Sequence, residues 1–288
     1  MLCTVGDLLE DVVVWLGADP PRGTDTPARI FRRRGGSAAN VAALAASAGG
    51  RARFVGQVGD DHTGEDLVAQ LAAVGVDACV SRNGQTGCIV VLVDAAGERT
   101  MLTDRGASTQ LAVAPVGVLD GVRVLHVPGY SLTVEPLATA ALALIGEAVE
   151  RQVPVTVDAS SVAVLREYGV AEFLGLVAQI RPQVFFCNRS ESAALGLALR
   201  SPAPGASLTV VKSGARPTLL VEPGGAVASI PVPPVEHVVD TTGAGDAFVA
   251  GYLLALQAGQ DAAVCVRAAH LLASRVLASP GATLSARP

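Results

Sequence analysis

The chain has 288 residues, a formal net charge of −5 and 50% hydrophobic residues, mostly Ala, Val and Leu, with only 3% aromatic. No apolar run approaches the roughly 18 residues of a spanning helix, and the sequence lacks the basic stripe or stacking platforms of a nucleic-acid surface, so neither membrane nor nucleic acid is an expected partner. Five scattered cysteines, at 3, 79, 88, 187 and 265, and four histidines without paired spacing give neither a disulfide framework nor a zinc site.

Residues 1–10 lack the basic start and long apolar core of a signal peptide, and with unpaired cysteines this makes a cytoplasmic location the expectation. A strand is expected at 4–6, then a strand pair at 11–16 and 28–34, a helix at 38–48, a strand at 54–58 and a helix at 64–73. A second strand pair, 88–93 with 99–103, is closed by Asp94-Ala95-Ala96-Gly97-Glu98. Beyond it come strands at 122–127, 153–157, 184–187 and 208–211, and helices at 136–150, 247–258 and 261–277. The alternation of short β-rich runs with Ala- and Leu-rich stretches points to βαβ units around a mainly parallel sheet. Several strands are apolar at successive positions, as expected where helices cover both faces. The two strand pairs break this rhythm and read either as surface hairpins or as a separate small unit.

Residues 240–248 read Asp-Thr-Thr-Gly-Ala-Gly-Asp-Ala-Phe. Gly243, Ala244 and Gly245 are small enough for a ligand to approach their backbone N–H groups, at the start of a helix whose positive dipole end favours phosphate or a developing oxyanion. Asp246 stands at the same place, where a carboxylate can take a proton from a hydroxyl attacking phosphorus. The same residues also suit a plain turn with an Asp helix cap, and both readings stand on these residues alone. Further upstream lie Gly35-Gly36-Ser37-Ala38-Ala39-Asn40-Val41-Ala42 and Phe54-Val55-Gly56-Gln57-Val58-Gly59-Asp60-Asp61. Between the two motifs come Thr86-Gly87, Gly97-Glu98-Arg99-Thr100, His126-Val127-Pro128-Gly129-Tyr130, Val157-Asp158, Asn188-Arg189-Ser190-Glu191 and Lys212-Ser213-Gly214.

In this order and spacing, from about residue 4 to about residue 283, the sequence resembles the ribokinase-like (PfkB) family of carbohydrate and nucleoside kinases. The resemblance implies a three-layer α/β fold, with a mainly parallel central sheet, helices on both faces and a small β-sheet lid over the sugar site. Residues 1–11, 36–85 and 105–288 would form the large nucleotide- and substrate-binding domain, and 12–35 with 86–104 the lid. It implies an ATP- and magnesium-dependent kinase in which Asp246 is the base and Gly243, Ala244 and Gly245 hold the transferring phosphate. Asn188 and Glu191 would lie near the nucleotide phosphates, Glu191 holding magnesium through water, although by themselves they read as a helix N-cap and its capping-box partner. Lys212, Ser213, Gly214 and Thr242 would meet the nucleotide, and Arg216-Pro217 departs from the second glycine the family often carries in that loop.

On the acceptor side the resemblance gives Asp11, Gly35, Gly36 and Asn40 to the sugar pocket, with Asp11 accepting substrate hydroxyls. Arg105 would meet an acidic sugar; its alternative is a solvated or ion-paired surface charge. Arg32-Arg33-Arg34 reads either as a solvated lid edge or as help for an anionic substrate. Leu9, where ribose kinases of the family generally carry Asn, turns the expectation from ribose towards fructose-like and 2-keto-3-deoxy sugars, with an adenosine-like nucleoside or ribose as the alternative. The shortage of aromatics weighs against a nucleoside base. A potassium ion held through backbone carbonyls and by Asp240 and Thr242, with Gly281 and Ser279 contributing, and a homodimer through the lid are further implications. A non-catalytic sugar or nucleotide sensor on the same fold is the rival from another class.

Overall fold

The computed structural model describes residues 1–198, 201–279 and 281–284. Nine strands form one large sheet: β1 (Leu2–Val5), β4 (Ala52–Val58), β5 (Val76–Arg82), β8 (Val124–Pro128), β9 (Val155–Asp158), β10 (Val184–Asn188), β11 (Thr209–Lys212), β12 (Thr218–Val221) and β13 (Val227–Ile230). Their order is β13-β12-β11-β10-β9-β8-β1-β4-β5. Pairing is parallel from β5 through to β11 and antiparallel only where β12 and β13 close one edge. The central strands alternate between two cores, which explains their unbroken apolar runs. Val184 and Phe186 face α1 (Ser37–Ser47), α7 (Ala244–Gln257) and α8 (Ala262–Leu277), whereas Phe185 and Cys187 face α3 (Leu137–Glu150) and α5 (Val170–Ile180). The helical layers are completed by α2 (His62–Ala73), α4 (Val162–Tyr168) and α6 (Arg189–Ala194).

Strands β2 (Leu9–Leu16), β3 (Ala28–Gly35), β6 (Thr86–Val93) and β7 (Arg99–Gly106) form a second sheet in the order β3-β2-β6-β7. Each hairpin is antiparallel, and the two join through a parallel β2–β6 ladder. The two strand pairs read from the sequence are therefore one four-stranded unit, in which Leu9, Glu10, Gly35, Thr86 and Gly106 also belong to strands. Sequence reading finds the interior strands within about two residues at either end. It misses β5 and β13, which lie at the two sheet edges, and β12 beside β13, together with α4, α5 and α6.

The chain lays β4 and β5 on one side of β1, and β8 to β11 on the other. Adjacent loops therefore diverge between β1 and β8, the place where open α/β sheets hold ligands at their carboxyl ends. Asp7 follows β1, Asp158 ends β9, Asn188 ends β10 and Lys212 ends β11. The small sheet, inserted after β1 and after β5, lies over this edge.

Candidate active site

A cavity of about 830 Å³ lies between the carboxyl edge of the large sheet and the inner face of the small one. The chain enters α7 through Gly243, whose backbone is left-handed (φ 75°) and on which an added Cβ would come 2.7 Å from Cα of Ala282. Helix α7 begins at Ala244, three residues before the apolar run, so Gly243 is its N-cap and Asp246 its third residue. No side chain caps this end. Ala244 N–H bonds to the carbonyl of Thr241 (3.2 Å). Gly245 faces Lys212, with an added Cβ 3.8 Å from Nζ, so the backbone here is open to a ligand.

Asp246 is tied to the first turn of α1. Its Oδ1 accepts from the Ser37 hydroxyl (2.7 Å) and its Oδ2 from the Asn40 amide (3.1 Å). Withdrawal from bulk water pushes the Asp246 carboxyl up to about 6, against these two hydrogen bonds, which favour the charged form. Gly36 makes the junction feasible: it sits at φ 97°, where an added Cβ would collide with the Asp7 carbonyl oxygen. Arg34 lies in the field of Asp246 and Asp11. Burial lowers its pKa, the two carboxylates oppose that, and its Nε is buried without a partner.

Asn188 and Glu191 form a capping box on α6. The Asn188 side chain accepts from Glu191 N–H (2.9 Å), and Glu191 Oε2 accepts from Asn188 N–H (2.7 Å). Glu191 Oε1 accepts from the Asn188 amide (2.6 Å). Both residues also line the cavity, so the helix cap and a place in the site are compatible. Burial, and then the negative charge of Asp158, raise the Glu191 carboxyl to about 6. Lys212 donates to Asp158 Oδ2 (2.5 Å). Burial alone would lower the Lys212 pKa, but Asp158 and Glu191 outweigh it and keep the ammonium charged. Ser213 accepts from Arg189 Nε (3.0 Å), Gly214 is left-handed (φ 61°), and Arg216 N–H bonds to the Ser213 carbonyl (3.1 Å). The Arg216-Pro217 departure is thus absorbed in a short turn leading to β12.

On the small sheet, Asp11 faces the cavity from β2, opposite Arg33 of β3. Burial raises its carboxyl to about 6, with Arg34 pulling the other way. Gly35 leaves room for this carboxylate, since an added Cβ would strike it. Arg105 is ion-paired with Asp7, donates to the Tyr130 carbonyl (3.3 Å) and lies over the Tyr130 ring at 5.4 Å. It is a cavity wall already neutralised, and Asp7 Oδ1 is left buried without a partner. Asp7, Ser37 and Tyr130 were not singled out from sequence. Asp7 stands 98 positions before Arg105, a separation at which no local pattern signals pairing.

The inner face of the small sheet presents three cross-strand rows: Arg33-Asp11-Ile89-Thr103, Phe31-Val13-Val91-Met101 and Arg29-Trp15-Val93-Arg99. Arg99 reaches from the last row to the loop before α7. It donates to Thr242 Oγ1 (2.7 Å) and to Asp240 Oδ1 (2.6 Å). Asp240 Oδ1 also accepts from Thr242 N–H (2.9 Å) and the Thr242 hydroxyl (2.8 Å), and its Oδ2 accepts from Gly281 N–H (2.9 Å). Burial would raise this carboxyl, but the hydrogen bonds prevail and hold it at about 2. Ser279 is buried, and its hydroxyl has no partner among the described residues.

A family model described as "pfkB family carbohydrate kinase" matches residues 1–288. Fructosamine kinase FrlD of Bacillus subtilis (strain 168) is 30% identical over 258 residues, covering 86% of this chain and 85% of that protein. A fructokinase of Klebsiella pneumoniae is 31% identical over 255 residues, covering 81% and 80% respectively. Among solved structures, the adenosine kinase of Sinorhizobium meliloti superposes with a TM-score of 0.84 at 26% identity, covering 98% of this chain and 94% of that one.

Proposed function

We propose, for a chain that belongs to the pfkB family of carbohydrate kinases and is thereby an ATP-dependent kinase, that it phosphorylates a hydroxymethyl group of a small sugar or sugar acid, fructose-like or 2-keto-3-deoxy in type. The observation that carries this reading is the seat of Asp246. A carboxylate poised near neutrality sits in the first turn of α7, gripped by Ser37 and Asn40, in one cavity with Asp11. Asp11 faces the acceptor and accepts its hydroxyls, which discriminates against analogues lacking them. Asp246 takes the proton of the acceptor hydroxymethyl as that oxygen attacks the γ-phosphorus. The new O–P bond forms as the β–γ bridging bond breaks, ADP leaves, and the proton passes from Asp246 to water. The open N-terminus of α7 and the Lys212 ammonium face the charge spread over the transferring group.

Glu191 suits magnesium held through water, because both of its oxygens are already bonded to Asn188 and magnesium keeps most of its water shell. When bound with ATP it would supply positive charge against the phosphate oxygens. A nucleoside acceptor is the second reading, and one observation favours it. Of the few aromatics in the chain, Trp15 and Phe31 both line the cavity from the lid, where a base could stack. ADP release is measured with magnesium-ATP and fructose, 2-keto-3-deoxygluconate, fructosamine or adenosine. Strong stimulation by a sugar upholds the first reading, stimulation by adenosine alone the second. ATP binding without turnover of any acceptor defeats both and favours a sensor.

A homodimer through the lid belongs to the same reading. Positions alternate along the lid strands, so Val12, Val14, Ile30, Val90, Leu92 and Leu102 face away from the cavity. Ile30 is 60% and Leu102 56% exposed. A sheet that presents these apolar residues on its outer face calls for a cover there, and a second copy offers the same face. Among the described residues no helix is long and apolar enough to cross a membrane.

A further inference from the structure

Asp240 and Thr242 are the groups that, beside backbone carbonyls, the family resemblance gives to a monovalent cation, and here a cation from the lid already occupies their side chains. Asp240 Oδ1 receives the Thr242 N–H, the Thr242 hydroxyl and one arm of Arg99, more donors than its lone pairs readily serve. The other arm of Arg99 bonds the Thr242 oxygen, so the guanidinium spans both groups as a fork. A metal cation on these two oxygens would have to expel Arg99 or share the space with its charge. The side chains therefore do not fit a resident potassium ion while the lid is down.

The same contacts continue into the anion site. Asp240 Oδ2 holds Gly281 N–H, Ala282 packs against Gly243, and Gly243 is the N-cap of α7. A second lid guanidinium, Arg33, lies so close to Gly281 that an added Cβ would strike it. Arg99 thus bonds the loop that sets the first turn of α7 from a small sheet that lies over the cavity.

We propose that Arg99 supplies from the lid the positive charge that the loop before α7 needs, in place of a monovalent metal cation, so that the anion site is set by lid closure. Arg99 is a positioning residue, acting through Asp240 and Thr242. Trp15, the chain's single tryptophan, shares a cross-strand row with Arg99 and reports on the lid.

The test compares the unaltered full chain with Arg99→Met and Arg99→Lys, in potassium chloride and in tetramethylammonium chloride at equal ionic strength. It reads thermal unfolding, Trp15 emission and turnover. The unaltered protein is expected to unfold at the same temperature in both salts. Arg99→Met is expected to shift Trp15 emission, to gain a potassium-specific rise in unfolding temperature, and to lose on the order of tenfold in kcat/KM. Arg99→Lys, with the charge but not the fork, should lie between them. Potassium-specific stabilisation of the unaltered protein overturns the proposal and would turn attention to the unpartnered Ser279 hydroxyl. Equal unfolding of Arg99→Met in both salts, or unchanged Trp15 emission, overturns it as well. The turnover arm rests on the kinase reading, whereas unfolding and emission do not, so the two can fail separately.

Discussion

Asp246, Asp11 and Glu191 share one condition: each is a carboxyl raised by burial to about 6 and opening on one cavity. Ionising such a group at neutral pH costs folding free energy, and a raised folded pKa makes that cost vanish as pH falls through about 6 towards the unfolded value near 4. Asp246→Asn is therefore expected to unfold a few degrees higher than the unaltered protein at pH 7, with the gap closing by about pH 4 in pH-resolved melts. His126, buried and lowered to about 4, shifts the absolute curve the other way, so the difference between the two proteins is the diagnostic quantity. The same substitution should lower kcat by roughly 10²–10⁴, the usual worth of a positioned base. For the unaltered enzyme, kcat/KM should fall on an acid limb near pH 6, because the base must be unprotonated; a profile flat to pH 5 would remove Asp246 from that role. Asp246 is legible in the sequence because Gly243, Ala244 and Gly245 stand beside it in the chain, although Ser37 and Asn40, which hold it, lie 209 and 206 positions away. The ion-pair partners of Arg105 and Arg99 are not legible, since Asp7 and Asp240 lie 98 and 141 positions away.

At the scale of elements, α7 shows how function displaces a boundary. Its apolar run starts at Ala247, yet the helix begins at Ala244, because the turn that opens to ligand is made of Gly243, Ala244 and Gly245 instead of core residues. Gly243→Ala would force a side chain into left-handed backbone against Ala282. The expected outcome is a loss of turnover on the order of 10²-fold, with far-UV circular dichroism and Trp15 emission little changed. If turnover persists, the cradle lies elsewhere. The lid hairpins are legible as strand pairs that break the βα rhythm, the second closed by the turn at Gly97, but the β2–β6 ladder that unites them is parallel and non-local, and no turn announces it. Edge strands β5 and β13 escape because polar residues interrupt their apolar positions. The capping box of Asn188 and Glu191 carries a different lesson. One pair of residues satisfies a helix terminus and faces the cavity, so the structural and functional signals in the sequence coincide.

For the molecule as a whole, the fold was legible because order along the chain carries it: strand, lid hairpin, helix and strand recur where the two-core sheet requires them. The outer lid face is less legible, since its apolar residues are written in alternate positions of strands that already look buried. Ile30→Glu is expected to convert a dimer to a monomer in light-scattering chromatography while leaving the large domain folded; an unchanged mass would place the cover elsewhere. The alternation of those strands has a consequence for descent. Odd-numbered lid positions such as Trp15, Phe31 and Met101 line the cavity, and even-numbered ones such as Ile30, Val90 and Leu102 face away from it. Drift at one set can change the preferred acceptor without disturbing association, and drift at the other can rewrite association without changing the acceptor. A single-residue insertion in a lid strand would exchange the two sets at once, so lineages of this fold should diverge there by substitution and not by length.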